Sequence, residues 1–263
     1  MAAPRKDFDA VIFDLDCTLA DGKYNSQQAM IAVQQALPHL RGLDSVYAAP
    51  YFHPPVRHFA EQIGQERFNR HLEDAHRLIQ SFYSIFGLHA PNTQEVDISY
   101  HTWLAAYGQR GNRRATPSSI ETLRRLRQRG IPVVILTNGA QQFQTHKARE
   151  IGVLEHVDEL ISSESVGSRK PSSRMFDAAL ERLGTQRHRT LMVGDCFQND
   201  VIGVRKAGLG AVLYNPSSSS SGDHYGLYYI RNSSDVLPLC GIGAEEEELT
   251  ENLGSLSLRE EQE

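Results

Sequence analysis

Three short apolar runs, each stopping at polar and reactive side chains, constrain this chain more than any other feature. They are Ala10-Val11-Ile12-Phe13, Val133-Val134-Ile135-Leu136 and Leu191-Met192-Val193. None alternates with polar residues, so each reads as a strand covered on both faces, as parallel sheets require. The runs end in Asp14-Leu15-Asp16-Cys17-Thr18, in Thr137-Asn138-Gly139 and in Gly194-Asp195, the last followed by Asn199-Asp200. Open α/β sheets bind ligands at the carboxyl ends of their strands, so these groups are expected at one edge. Asp14 and Asp16, at i and i+2, would leave an extended chain on the same side.

From residue 132 onward the pattern predicts strands over 132–136, 157–161, 190–194 and 210–214. Helices are expected between them, over 140–151, 172–183 and 199–207. A helix over 117–129 would start with Thr116 as N-cap and Pro117 at the first helical position. Residues 215–222, with five consecutive serines, read as a flexible loop, and Tyr228-Tyr229-Ile230 as a short edge strand. The expected class is therefore α/β, with a doubly wound, Rossmann-like parallel sheet.

The interval after the first run differs. Apolar residues recur at helical spacing over 20–40, 56–70, 71–86 and 98–107, with a loop over 87–97, and no buried-strand run occurs there. Residues 24–110 are expected to be a helical insert, leaving 1–23 and 111–240 as the α/β core. Residues 241–263 are Glu-rich with almost no aromatic side chain, and read as a disordered acidic tail.

A fourth stretch, Gly167-Ser168-Arg169-Lys170-Pro171, places a lysine in a loop ahead of a helical pattern. Taken in order, Asp14/Asp16/Thr18, Thr137, Lys170 and Asp195/Asp200 resemble the four motifs of the haloacid dehalogenase superfamily of hydrolases. The resemblance covers about residues 8 to 215. Ser168-Arg169-Lys170-Pro171 followed by Met175-Phe176-Asp177-Ala178-Ala179-Leu180 resembles the branch that carries a helical cap after the first motif (subfamily I, C1 cap).

The resemblance implies roles. Asp14 would be the nucleophile, forming an aspartyl-phosphate. Asp16 would protonate the leaving oxygen and later activate water. Thr137 Oγ and the Asn138 backbone N–H would donate to phosphoryl oxygens, with Thr18 also binding phosphate. Lys170 would neutralise Asp14 and the transferring group. Magnesium, which prefers hard oxygen donors, would be held by Asp14, Asp195 and the backbone carbonyl of Asp16. Asp200 would hold a metal-bound water or pair with Lys170.

The expected activity is a magnesium-dependent phosphatase for a small phosphorylated metabolite: a nucleotide, a sugar phosphate or similar. Asp16 argues against dehalogenation, because the superfamily's dehalogenases lack an acid at that position. A sugar phosphomutase of the same fold, or a non-catalytic phosphate-binding protein, stays open. Tyr51, His53, Arg57, Arg67, Arg70 and Arg113 are the candidate contacts to the leaving group.

The formal net charge of -5 argues against nucleic acid as a partner. No apolar run is long enough to cross a bilayer, and Met1 to Asp9 lacks a signal core. Three cysteines make no disulfide framework. A cytoplasmic monomer or homodimer is the expectation.

Overall fold

The computed structural model of the chain describes residues 8–43, 77, 79–218, 220–224 and 227–243. The apolar runs form strands at the centre of a seven-stranded sheet. The strands are β1 (Ala10–Phe13), β2 (Val133–Thr137), β3 (Glu159–Ser162), β4 (Thr190–Gly194), β5 (Gly210–Tyr214), β6 (Gly222–His224) and β7 (Leu227–Ile230), in the order β3-β2-β1-β4-β5-β7-β6. Every pairing is parallel except β6 with β7. The α/β class is as the sequence predicts. Tyr228 to Ile230 lies in β7, an inner strand; the edge is β6, which begins in what reads as loop.

Strand periodicity sorts the core. Val11 and Phe13 point to one face, with Ile135, Val193, Leu123 and Leu126. Ala10 and Ile12 point to the other, with Val134, Leu136, Met192 and Phe176. Burying both faces is what forces these strands to be apolar throughout.

Before β2 the described helices are α1 (Gly22–Ala36), α2 (Thr93–Gly108) and α3 (Ser119–Gln128), with residues 79–85 also helical. Then come α4 (Gln141–Glu150), α5 (Ser163–Val166), α6 (Ser173–Leu183) and α7 (Gly203–Lys206). The chain over α1, 79–85 and α2 has its own core of Met30, Val33, Leu40, Phe82, Tyr83 and Trp103. The predicted helix over 56–70, residues 71–76 and 78 of that over 71–86, and the tail beyond residue 243 lie outside the described residues.

Local chemistry moves several boundaries. α2 starts at Thr93 because Asn92 and Glu95 form a capping box, which an apolar pattern does not register. α3 does not start at Thr116. Its N-cap is Ser118, at φ 62°, while the Thr116 hydroxyl donates to the Thr18 carbonyl at 2.7 Å. The segment predicted as one helix over 199–207 is a π-helical turn, Phe197–Ile202, running into α7. Such turns occur often at functional sites.

Candidate active site

The order β2-β1-β4 sets the ends of three strands side by side. β1 delivers Asp14, whose N–H donates to the Val193 carbonyl at 2.8 Å. β2 delivers Thr137, β4 delivers Asp195, and the π-helical turn carries Asp200 back over the β4 end.

Lys170 is the hub. Its Nζ donates to Asp14 Oδ1 at 2.6 Å and to Asp200 Oδ1 at 2.8 Å, and all three side chains are buried. The loop holding Lys170 is tied to the end of β2 by Asn138. Its Oδ1 accepts from the Lys170 N–H at 2.8 Å, and its Nδ2 donates to the Lys170 carbonyl at 3.3 Å. Asp200 is fixed further by the Cys196 N–H, which donates to Oδ2 at 3.1 Å. Gly194 is required here: a Cβ at this position would stand 2.3 Å from Asp200 Oδ2.

Asp14, Asp195 and Asp200 form one cluster, with carboxylate oxygens within 4.8 Å of one another. One buried cation serves two of these acids, and the charge of the third is left over. Burial pushes Asp14 up to about 7; Lys170 opposes the rise and the charges of Asp200 and Asp16 add to it. Asp195, on the open rim, is pushed up to about 6 by partial desolvation and by Asp200. Burial pulls Lys170 down, but Asp14 and Asp200 outweigh it and raise the ammonium above its usual range. An all-oxygen, charge-rich donor set of this kind fits a hard divalent cation.

Asp16 departs from expectation. The strand stops at Phe13, and the chain coils so that the Leu19 and Ala20 amides both donate to the Leu15 carbonyl. An extended-chain rule therefore does not apply beyond Asp14. The Asp16 carboxylate turns to α4, where it pairs with Lys147 and accepts from Gln144 Nε2 at 2.9 Å. Partial burial works to raise its pKa, but Lys147 and Gln144 win and hold it below the ordinary value. Gln144 also donates to Thr137 Oγ1 at 3.2 Å and to the Asn138 carbonyl at 2.9 Å. The carboxylate cluster does not include Asp16.

Thr18 is buried, with its hydroxyl 3.5 Å from Asp14 Oδ2. Arg113 does not face a leaving group. Its guanidinium is buried against Glu150 at 2.9 Å and lies over the Phe143 ring. Tyr51, His53, Arg57, Arg67 and Arg70 lie outside the described residues. A cavity of about 610 Å³ opens beside Asp195 and Cys17, with Lys23, Tyr214, Asn215 and Ser217 on its walls.

Comparison with known proteins follows the same lines. The family model described as haloacid dehalogenase-like hydrolase matches residues 8–208. The glyceraldehyde 3-phosphate phosphatase of Methanothermobacter thermautotrophicus is 29% identical over 207 residues, covering 78% of this chain and 85% of that protein. The ribulose-1,5-bisphosphate 5-phosphatase of Halopiger xanaduensis is 36% identical over 104 residues, 40% of this chain; the match spans only 44% of that relative's length. In fold, the magnesium-bound HAD-hydrolase YfnB of Bacillus subtilis matches with a TM-score of 0.61 at 20% identity, over 90% of this chain and 100% of that one.

Proposed function

We propose a substrate class, a metal and residue roles for this chain, which belongs to the haloacid dehalogenase-like hydrolases and is a phosphoric monoester hydrolase. The substrate is a small phosphorylated metabolite, with phosphorylated carbohydrates first in line, since the two relatives above are named for such compounds. The cavity beside Asp195 suits a molecule of that size. The helical unit around α1 and α2 acts as the cap. Among the described residues no helix is long and apolar enough to cross a membrane.

The observation that carries this reading is the buried Asp14–Lys170–Asp200 chain beside Asp195. A buried carboxylate in contact with an ammonium is poised to attack phosphorus, with its charge offset until reaction. Lys170 meets the negative charge of the transferring group, and the Thr137 hydroxyl and Asn138 amide stand at the neighbouring strand end to donate to its oxygens. Asp14, Asp195 and Asp200 would hold magnesium, with Asp200 shared with Lys170 and the Asp16 carbonyl as a further donor. The ion supplies Lewis-acid charge neutralisation at the phosphoryl group. Asp16, ionised against Lys147, is in the state that accepts a proton from attacking water.

A screen of phosphorylated metabolites after chelator treatment tests the whole reading. Phosphate release should vanish in excess chelator and return with magnesium. Turnover undiminished by chelator would sink the metal assignment, and hydrolysis of no phosphorylated carbohydrate would sink the substrate class.

Lys147 is a positioning residue, acting through Asp16. Lys147→Met keeps a buried unbranched side chain but removes the Nζ that lies over the Phe143 ring and pairs with Asp16, which frees the Asp16 carboxylate to turn. Misplacing a reacting group by about 1 Å costs roughly 10²-fold. kcat should fall by about that much while KM changes less than about threefold. Unchanged kcat would show that Asp16 needs no holder.

A further inference from the structure

A second cluster of metal-ligating side chains lies in the helical unit, on residues that the phosphatase chemistry does not use. His39 comes from the 3-10 turn Pro38–Leu40 that follows α1. His89 lies in the loop before α2, and Glu95 is in the first turn of α2. His89 Nε2 is 3.0 Å from Glu95 Oε1, and His39 Nε2 is 3.7 Å from the same oxygen. One ligand atom from each of the three residues falls within 4.8 Å of the others.

These distances bear on which ion fits. Zinc binds imidazole nitrogen and carboxylate oxygen at about 2.0–2.2 Å, so donors at the corners of its tetrahedron stand roughly 3.4 Å apart. The two separations to Glu95, 3.0 and 3.7 Å, bracket that edge. Two nitrogens and one oxygen form a borderline donor set that suits zinc and poorly suits magnesium, which takes oxygen and water. Glu95 is already anchored, because its Oε2 accepts from the Asn92 N–H at 2.9 Å while Oε1 faces the histidines. The Tyr83 hydroxyl meets His39 Nε2 at 3.0 Å and would have to release it to an ion. The buried Ser99 side chain neighbours Tyr83 and offers that hydroxyl another partner.

We propose that His39, His89 and Glu95 form a zinc-class divalent-ion site, separate from the carboxylate cluster, that fastens the end of α1 to the start of α2. An ion there cross-links two helices at points more than 50 residues apart in the chain, His39 and Asn92 being 53 positions apart. It stabilises the helical unit by binding its folded state only.

The test uses the full-length chain, stripped with chelator and dialysed against micromolar zinc with millimolar magnesium present to occupy the carboxylate cluster. Wild type should retain one zinc per chain, and zinc should raise its thermal midpoint. The His39→Ala/His89→Ala variant should retain none and show no rise. An Asp14→Asn/Asp195→Asn variant should keep the zinc, which separates this site from the catalytic one. Glu95→Gln preserves an acceptor for the Asn92 amide, so it should unfold like wild type in chelator yet bind zinc about tenfold more weakly or worse; this variant decides the matter if the double histidine variant is poorly folded. No zinc on wild type, or as much zinc on the double histidine variant or on Glu95→Gln as on wild type, overturns the proposal.

Discussion

Asp14→Asn should remove turnover altogether, whereas Asp16→Asn should leave one round of chemistry intact. The asparagine at position 14 is nearly isosteric and its Oδ1 can still accept from Lys170, now 2.6 Å from the aspartate, so the fold has no reason to change. What disappears is the proposed nucleophile, so no covalent intermediate should form. Asp16 turns away toward α4, where it pairs with Lys147 and Gln144. Its loss removes a proton carrier, which costs roughly 10² to 10⁴-fold where a proton must move. With an activated aryl phosphate the leaving group needs no proton, so the first half-reaction proceeds. Hydrolysis of the aspartyl-phosphate then stalls. Rapid mixing should show a burst of about one equivalent from Asp16→Asn and none from Asp14→Asn. A burst from Asp14→Asn, or full steady-state rate from Asp16→Asn, would reverse the assignments.

Lys170→Met should lose most activity and a large part of the chain's stability. The variant leaves Asp14 and Asp200 buried without their shared cation. Removing one partner of a buried ion pair costs about 3–5 kcal/mol. For a chain of this size that is about 2–4 °C per kcal/mol, or roughly 6–20 °C in Tm. Magnesium should recover more of this in the variant than in wild type, because a cation among Asp14, Asp195 and Asp200 replaces the missing charge. The pH dependence has a definite sign. Burial already holds Asp14 at about 7 with Lys170 in place. A carboxyl raised in the folded state is more protonated there than in the unfolded chain, so stability falls as pH rises from about 4 toward that value. Without Lys170 the rise is larger, and the fall extends to higher pH. Thermal unfolding in chelator at pH 5.5 and 8, with about half a unit of care on pH, reads this directly. A midpoint within about 2 °C of wild type at both pH values would mean that Lys170 is not the charge that holds the two acids.

The strands and the hub were legible because both have simple signatures. A strand buried on two faces must be apolar along its length, and β1, β2 and β4 are. Asp14, Thr137, Asp195 and Asp200 follow those runs at short range, so strand order brings them together, and Lys170 is legible as a lysine before a proline in a loop ahead of a helical pattern. Gln144 and Lys147 left a fainter trace. α4 reads Gln-Gln-Phe-Gln-Thr-His-Lys-Ala-Arg-Glu, with too few apolar residues to cover a sheet. Its buried face is therefore largely polar: Gln144 and Lys147, with only Ala148 apolar. Period-two geometry does not give the Asp16 direction, because the strand ends at Phe13. Arg113 was misread because a lone arginine carries no sign of the carboxylate that it will meet, here Glu150, 37 positions later. The capping box at Asn92 and Glu95 was visible in the sequence as the Asn-x-x-Glu spacing.

The placement of β1 at the middle of the sheet also governs how the chain can be made. Val11 pairs with Val133 and Ala10 with Thr190, partners 122 and 180 positions further along. Such long-range pairings fold slowly, since loop closure precedes any contact that rewards it. During synthesis at about 5–20 residues per second, Ala-Val-Ile-Phe waits roughly 10–40 s for its second neighbour. Through that interval an apolar strand with two open edges is a template for wrong pairing. The helical unit, whose contacts close within residues 22–108, has no such wait. The proposed nucleophile therefore emerges before its cation: until Lys170 has left the ribosome, Asp14 is an acid at the end of an unpaired strand.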